Sequence, residues 1–232
     1  VSWDFQPLRV TAYLRSNICG NDPFFPLDGI LQTKALWDEY GEGFRSLPDP
    51  KMRLVYPSDD SMPVLKRHAD SPYWYYACSF AIYETQAEEV QYWHKRFRDQ
   101  YADLVDFGKR SAKVNLASGP YRGYRMPLRT FVVAEMTWYL VGDLAGVERL
   151  LQRARAIGKK RAYGNGEVLK WEVETTDQDL SEQAEGVWTR AVPAILLKNH
   201  LLDMTYHAYR PPYWHAENMA LCVMPGSEVI DA

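Results

Sequence analysis

The run Lys159-Lys160-Arg161-Ala162-Tyr163-Gly164-Asn165-Gly166 sets three cations and one aromatic ring beside two glycines. Cations bind phosphates, a ring accepts a stacked base, and glycines let a backbone come close, so this run suits a polyanion with exposed bases. A second reading is purely structural. The basic residues complement the dipole of a helix that ends at Gly158, and Gly164 and Gly166 make a turn. Order along the chain excludes nucleotide-binding loops, which follow a strand and open a helix; this run closes a predicted helix and opens a predicted strand. The five histidines, His68, His94, His200, His207 and His215, show no His-x-x-x-His or Glu-x-x-His spacing. No metal site and no cofactor is therefore predicted.

The elements that must position the basic run are read from periodicity. Asp143 can cap a helix whose apolar residues Leu144, Val147, Leu150, Leu151, Ala154 and Ile157 recur at three- and four-residue steps, with Gly158 as its stop. A strand over 167–174 follows. Upstream, residues 7–16 alternate Leu8, Val10, Ala12 and Leu14 with polar or aromatic positions, which predicts a half-buried first strand. A helix is predicted from Leu27 to near Gly41, then a loop over 41–63 with a short strand near 52–56. Residues 73–83 are dense in aromatic and β-favouring types and give the second strand.

Val90, Trp93, Phe97, Tyr101 and Leu104 fall at helical spacing within 84–107, either as a stripe packed on the core or as a stacking platform. Residues 113–129, with Ser118-Gly119-Pro120, Tyr121, Arg122, Gly123, Tyr124 and Arg125, predict a projecting basic hairpin, and 130–141 the third strand. The order strand, helix, strand, strand, helix, strand predicts an α+β, ferredoxin-like (RRM-like) βαββαβ domain over 1–175. A long basic insertion, 84–129, lies between its second and third strands, and a C-terminal extension, 176–232, packs on the domain or on a partner. The open face of such a sheet is a recurrent nucleic-acid platform.

Charge is polarised although the net value is only −3. Between Trp93 and Arg129 nine cations stand against three acids, and between Arg149 and Arg161 six cations stand against none. After Trp171 ten acids face three cations. One side should meet a polyanion and the other protein or solvent. Cys19, Cys78 and Cys222 are odd in number and lack any Cys-x-x-Cys, which fits reduced thiols of a cytoplasmic protein. There is no apolar run of membrane-spanning length, so no membrane partner is predicted.

Four stretches in order carry a family resemblance: Pro26 to Leu31 (PLDGIL), Ser118 to Leu128 (SGPYRGYRMPL), Trp138 to Asp143 (WYLVGD) and Ile157 to Val168 (IGKKRAYGNGEV). The last is similar to the glycine-rich loop of the RAMP superfamily of CRISPR proteins, and together they resemble the type IV Cas5-like subunit that caps the 5′ end of the guide RNA. That resemblance implies a non-catalytic subunit that holds the crRNA 5′ handle, with Cas7-like backbone and large subunits as partners and target DNA met indirectly. It implies that Lys159, Lys160 and Arg161 hold phosphates, Tyr163 a base or ribose, and Gly164 and Gly166 a close backbone. Arg122, Tyr124 and Arg125 become contacts of a thumb-like insertion, supported by Lys95, Arg96, Arg98 and Lys113.

Two other function classes remain at this point. Some RAMP relatives cleave precursor RNA without metal, which needs a general base beside the 2′-hydroxyl, and no histidine here is selected by spacing. A small-molecule-binding ferredoxin-like domain would leave the basic insertion unexplained. In the extension, residues 206–215 are rich in types favoured at interfaces, so Tyr209, Arg210, Tyr213 and Trp214 are predicted to contact a neighbouring subunit, with Arg210 and Trp214 as anchors.

Overall fold

The computed structural model describes residues 2–20, 24–47, 53–104, 114–119, 121–197 and 204–229. Its longer elements are β1 (Gln6–Leu14), α1 (Asp28–Tyr40), β2 (Ala87–Lys95), β3 (Tyr124–Val132), β4 (Glu135–Gly142), α2 (Leu144–Leu151), β5 (Val168–Thr175), β6 (Met204–Ala208) and β7 (Met219–Val223). The class is mixed α and β, with small sheets and few helices.

Alternation in β1 buries Leu8, Val10 and Ala12, as the period of two predicts. The strand lies between β4 and β5, antiparallel to both. Both helices cover the same face: Leu31 and Ala35 of α1 and Val147, Leu150 and Leu151 of α2 share one core with Val10, Met136, Trp138 and Leu140. Asp143 caps α2, its Oδ1 accepting the Gly146 N–H at 2.7 Å.

Five expectations about the elements need correction. Residues 53–56, described from the stretch where a short strand is expected, are in no strand. The helix predicted to run to Gly158 stops at Leu151, because residues 155–157 are drawn into pairing with the start of β5: Val168 donates to the Arg155 carbonyl and Ile157 to the Gly166 carbonyl. Ala154 and Ile157 are buried, but by non-helical chain.

The helix predicted within 84–107 is instead β2, followed by a 3₁₀ turn over Asp99–Leu104. Its partner is β3, in continuous register from Ala87 opposite Val132 to Lys95 opposite Tyr124. Diagonal cross-strand contacts hold the pair, Glu88 with Arg129, Tyr92 with Arg125 and Trp93 with Tyr124, and a helix would separate all three. The strand expected over 130–141 is split at Val133–Ala134. One part, β3, belongs to the β2 arm, and the other, β4, to the central sheet.

The second predicted strand, 73–83, pairs regularly only at Tyr75–Tyr76 and touches β4 through single bridges at Cys78 and Ile82. Its backbone groups are divided. Ser79 and Ile82 donate to the Tyr139 and Thr137 carbonyls of β4, and the Ala77 and Ile82 carbonyls accept from Val141 and Thr137. The Phe80 N–H goes instead to the Thr189 carbonyl, the Ala81 N–H to the Phe25 carbonyl, and the carbonyls of Tyr76 and Cys78 to the Arg190 guanidinium.

Chain beyond 176 adds a second core of Trp188, Val192, Tyr209, Cys222 and Val223, completed by Tyr75 and Phe80 from the first part. Its sheet runs Val192–Pro193, β7, β6. Arg190, wholly buried, ties the two parts together. Beside it Asp28 is also buried, and its two carboxylate oxygens accept from the Tyr213 hydroxyl at 2.9 and 2.8 Å. Burial pushes the Asp28 carboxyl up to about 6, against the opposing pull of Arg190 and Tyr213. No helix among the described residues is long and apolar enough to cross a membrane.

Candidate nucleic-acid interface

The arm of β2 and β3 and the glycine-rich run meet at one junction. Ile18–Cys19 joins them, pairing with Phe131 and Thr130 of β3 while the Cys19 carbonyl accepts the Lys159 N–H at 2.7 Å. The run then turns sharply. Lys160 takes a left-handed conformation (φ 56°), Arg161–Tyr163 form a 3₁₀ turn, and Gly164 is left-handed at φ 85°. This path brings Lys160 Nζ to 3.4 Å from the centroid of the Trp93 ring on the arm. Tyr163 meets the same ring edge-on at 5.8 Å, and Tyr124 does so at 4.9 Å. On the arm's other face Arg125 stacks over Tyr92 at 3.7 Å. A groove of about 550 Å³ at the arm's end is lined by Lys95, Arg96, Tyr124 and Arg125, with His94 beside them.

Most predicted contacts are accessible. Lys159, Arg161, Tyr163, Gly164, Lys95, Arg96, Arg98, Arg122 and Arg125 are exposed, and Lys160 and Tyr124 are half-buried against Trp93. Lys113 lies outside the described residues. None of Arg96, Arg98, Arg122, Arg125, Lys159, Lys160 or Arg161 pairs with a carboxylate among the described residues, so their charge is available to an anion. By contrast Arg129 is held by both oxygens of Glu88, and Arg149 and Arg153 by Asp38 of α1.

The two glycines of the run differ. A Cβ on Gly164 would meet nothing within 4 Å, whereas one on Gly166 would lie 1.9 Å from the Ile157 carbonyl oxygen. Gly166 is buried, and the room its missing Cβ leaves is filled by the chain's own backbone at Ile157. Gly158 is no helix cap either: its missing Cβ faces the Cys19 carbonyl at 2.6 Å. Trp93, expected on a helical stripe either packed on the core or serving as a stacking platform, lies instead on strand β2 at the centre of this junction.

The predicted partner contacts within 206–215 are corrected by burial. Tyr209 is 2% and Arg210 9% exposed. Arg210 donates to Asn218 Oδ1 at 2.8 Å and to the Pro72 carbonyl at 2.9 Å, and lies over the Trp74 ring at 4.6 Å. Tyr213 is committed to Asp28. Of the four, Trp214 alone is exposed, at 58%. Three histidines have structural roles as well. His68 packs near Tyr75, His207 bonds the Ala208 carbonyl and packs on Phe24, and His215 accepts the Glu217 N–H. His200 lies outside the described residues.

The open face of the central sheet is not basic. Arg9 pairs with Glu174, and Lys170 and Tyr13 bond Glu172 at 2.8 and 3.0 Å, which holds the Glu172 carboxyl below the usual carboxylate range. Glu84 and Glu135 remain exposed beside them. Among the described residues this face therefore offers no unpaired cation to an anion, unlike the arm and the glycine-rich run.

A family model, CRISPR type IV associated protein Csf3, matches residues 54–225. The match takes in the arm, α2, the glycine-rich run and the sheet of β6 and β7, and begins after β1 and α1. No curated protein matches the chain. With the family model covering most of its length, the chain belongs to the Csf3 family, the Cas5-like subunit of type IV CRISPR systems.

Proposed function

We propose that this chain is the non-catalytic RNA-binding subunit of a type IV CRISPR ribonucleoprotein, holding the crRNA 5′ handle and capping a backbone of Cas7-like subunits. The observation that carries the reading is the junction at Trp93, where the glycine-rich run and the arm bring unpaired cations and rings together. A single-stranded RNA end asks for that combination: cations for phosphates and planar groups for splayed bases. The arm takes the part of the thumb-like insertion.

A ferredoxin-like core is supported by the spatial order β5, β1, β4 and then the bridged segment at 78–82, with both helices on one face. On this reading RNA avoids the open sheet face, whose exposed charge is acidic, and lies along the arm.

The test is to purify the chain with the subunits encoded beside its gene and sequence the ends of the retained RNA. The expected result is a discrete small RNA with a common 5′ segment, lost when Lys159, Lys160 and Arg161 are replaced by Glu. The salt dependence of binding should flatten by roughly one unit of slope per lost phosphate contact. An unchanged slope moves the site elsewhere.

One observation favours a second reading, metal-independent cleavage of precursor crRNA. His94 lines the arm groove with Lys95, Arg96 and Arg125, where an imidazole could serve a 2′-hydroxyl and the cations the developing charge. Cleavage of a precursor by the purified chain, abolished in His94→Ala with RNA binding retained, would establish it; no cleavage by the wild-type chain removes it.

A further inference from the structure

Beside the base of the arm, next to Gln86 and Ala134, lies a second surface with different chemistry. Two hollows, of about 550 and 690 Å³, share Ile82, Tyr83 and Tyr139 as a common wall and so form one long cleft beside the open face of the central sheet. Apolar side chains line much of it. Ile82 is 49% exposed at its centre, and Phe80, Leu180 and Val187 continue the lining toward the second core.

Glu84 and Glu135 stand at one end of the cleft and Glu185 at the other, all exposed and none paired with a cation among the described residues. Trp188, in the cleft wall, is 7% exposed, and its indole N–H has no acceptor among the described residues.

We propose that this cleft docks an extended segment of another protein subunit, one that carries apolar side chains flanked by lysine or arginine. Charge complementarity chooses that occupant. Three unpaired carboxylates repel RNA phosphates and attract cationic side chains, and an apolar trough takes the side chains between them. The inference rests on the reading of this chain as a subunit of an assembly. It adds that the RNA and protein contacts occupy separate faces, the arm for one and the Ile82 cleft for the other.

A carbodiimide, which joins carboxylates to lysines at zero length, tests the cleft in the complex assembled by co-expressing the full chain with the subunits encoded beside its gene. After cross-linking and nuclease digestion, Glu84, Glu135 or Glu185 should be found joined to lysines of another subunit. Ile82→Asp should lower the yield of those links by about tenfold, since it sets a charge in the apolar trough. The pair Glu84→Lys and Glu135→Lys should release the partner at lower salt while the chain keeps its RNA.

Links from these carboxylates only to lysines of this chain or of its copies overturn the proposal, as does unchanged salt resistance of the double variant. Loss of RNA from the double variant with the partner retained assigns the face to nucleic acid and overturns it as well. The RNA reading fails by a different result, retention of RNA when Lys159, Lys160 and Arg161 are reversed in charge, so the two failures are distinguishable.

Discussion

Two groups of cation–aromatic contacts use the same residue types to opposite ends. On the arm, Lys160 sits 3.4 Å over Trp93 and Arg125 3.7 Å over Tyr92, with their remaining N–H donors turned to solvent. In the second core, Arg190 lies 4.1 Å over Tyr75 and Arg210 4.6 Å over Trp74. There four of the five donors of Arg190 are taken, by the carbonyls of Tyr76, Cys78, Ala191 and Tyr209. A guanidinium whose donors are mostly spent on buried carbonyls holds a fold together, and one whose donors meet no carboxylate can hold a phosphate. The residue pair alone does not tell which; burial does.

The largest difference should therefore appear in stability. Arg190→Ala leaves four buried carbonyls short of a donor, and should cost about 3 to 5 kcal/mol in urea unfolding. Arg125→Ala should cost no more than about 1 kcal/mol, the range of an exposed cation–π contact, while weakening RNA binding. Similar losses for the two would erase the distinction between a cementing and a binding arginine.

A smaller effect comes from the carboxylate beside Arg190. Because the folded state holds the Asp28 proton more tightly than the unfolded chain does, with its carboxyl at about 6 against an ordinary 3.8, stability falls as pH rises through that window. The cost is fully present above about pH 6 and absent below about pH 4. Asn at this position cannot ionise and can still accept from Tyr213. Asp28→Asn should thus gain on wild type by up to about 3 kcal/mol between pH 4 and pH 7, measured as the difference of their denaturant unfolding curves. Parallel pH profiles would mean that the pocket around Asp28 admits water.

RNA binding should respond next. Trp93→Ala removes the ring that Lys160, Tyr163 and Tyr124 share. It should weaken binding of the co-purified RNA by about 1 to 3 kcal/mol, the worth of one stacked base, with Tyr124→Ala at the lower end. Binding unchanged in Trp93→Ala would reduce the junction to a packing contact.

Much of this architecture was readable before the structure, and the misses share a cause. Leu8, Val10 and Ala12 report β1 directly because one face of that strand is buried and the other is not. Asp143 reports its helix because capping is a local interaction. The arm defeated periodicity because both its faces are largely exposed, from Ala87 to Lys95, so no apolar alternation was imposed and an accidental helical spacing stood out.

Gly158 looked like a helix stop because its real constraint, the Cys19 carbonyl, comes from a strand far away in the sequence. The same holds for Arg190, isolated in the chain and central in the fold. The cations of the glycine-rich run were legible as a site since no carboxylate among the described residues pairs with them.

Trp214 sets the finest test of burial as the deciding variable. It follows Tyr209, Arg210 and Tyr213, which all face inward, yet its ring lies at the rim of a hollow that includes Leu36, Phe44 and Val55. An exposed ring with solvent on one side adds little to folding, so Trp214→Ala should change the unfolding free energy by no more than about 0.5 kcal/mol. Arg210→Ala, four residues earlier, should cost several times more because Asn218 Oδ1 and the Pro72 carbonyl lose their donor. Unfolding curves of the two variants side by side would decide the matter. If Trp214→Ala proved as damaging as Arg210→Ala, the ring would be packed into the hollow, and all four residues once assigned to a partner would belong to the chain's own interior.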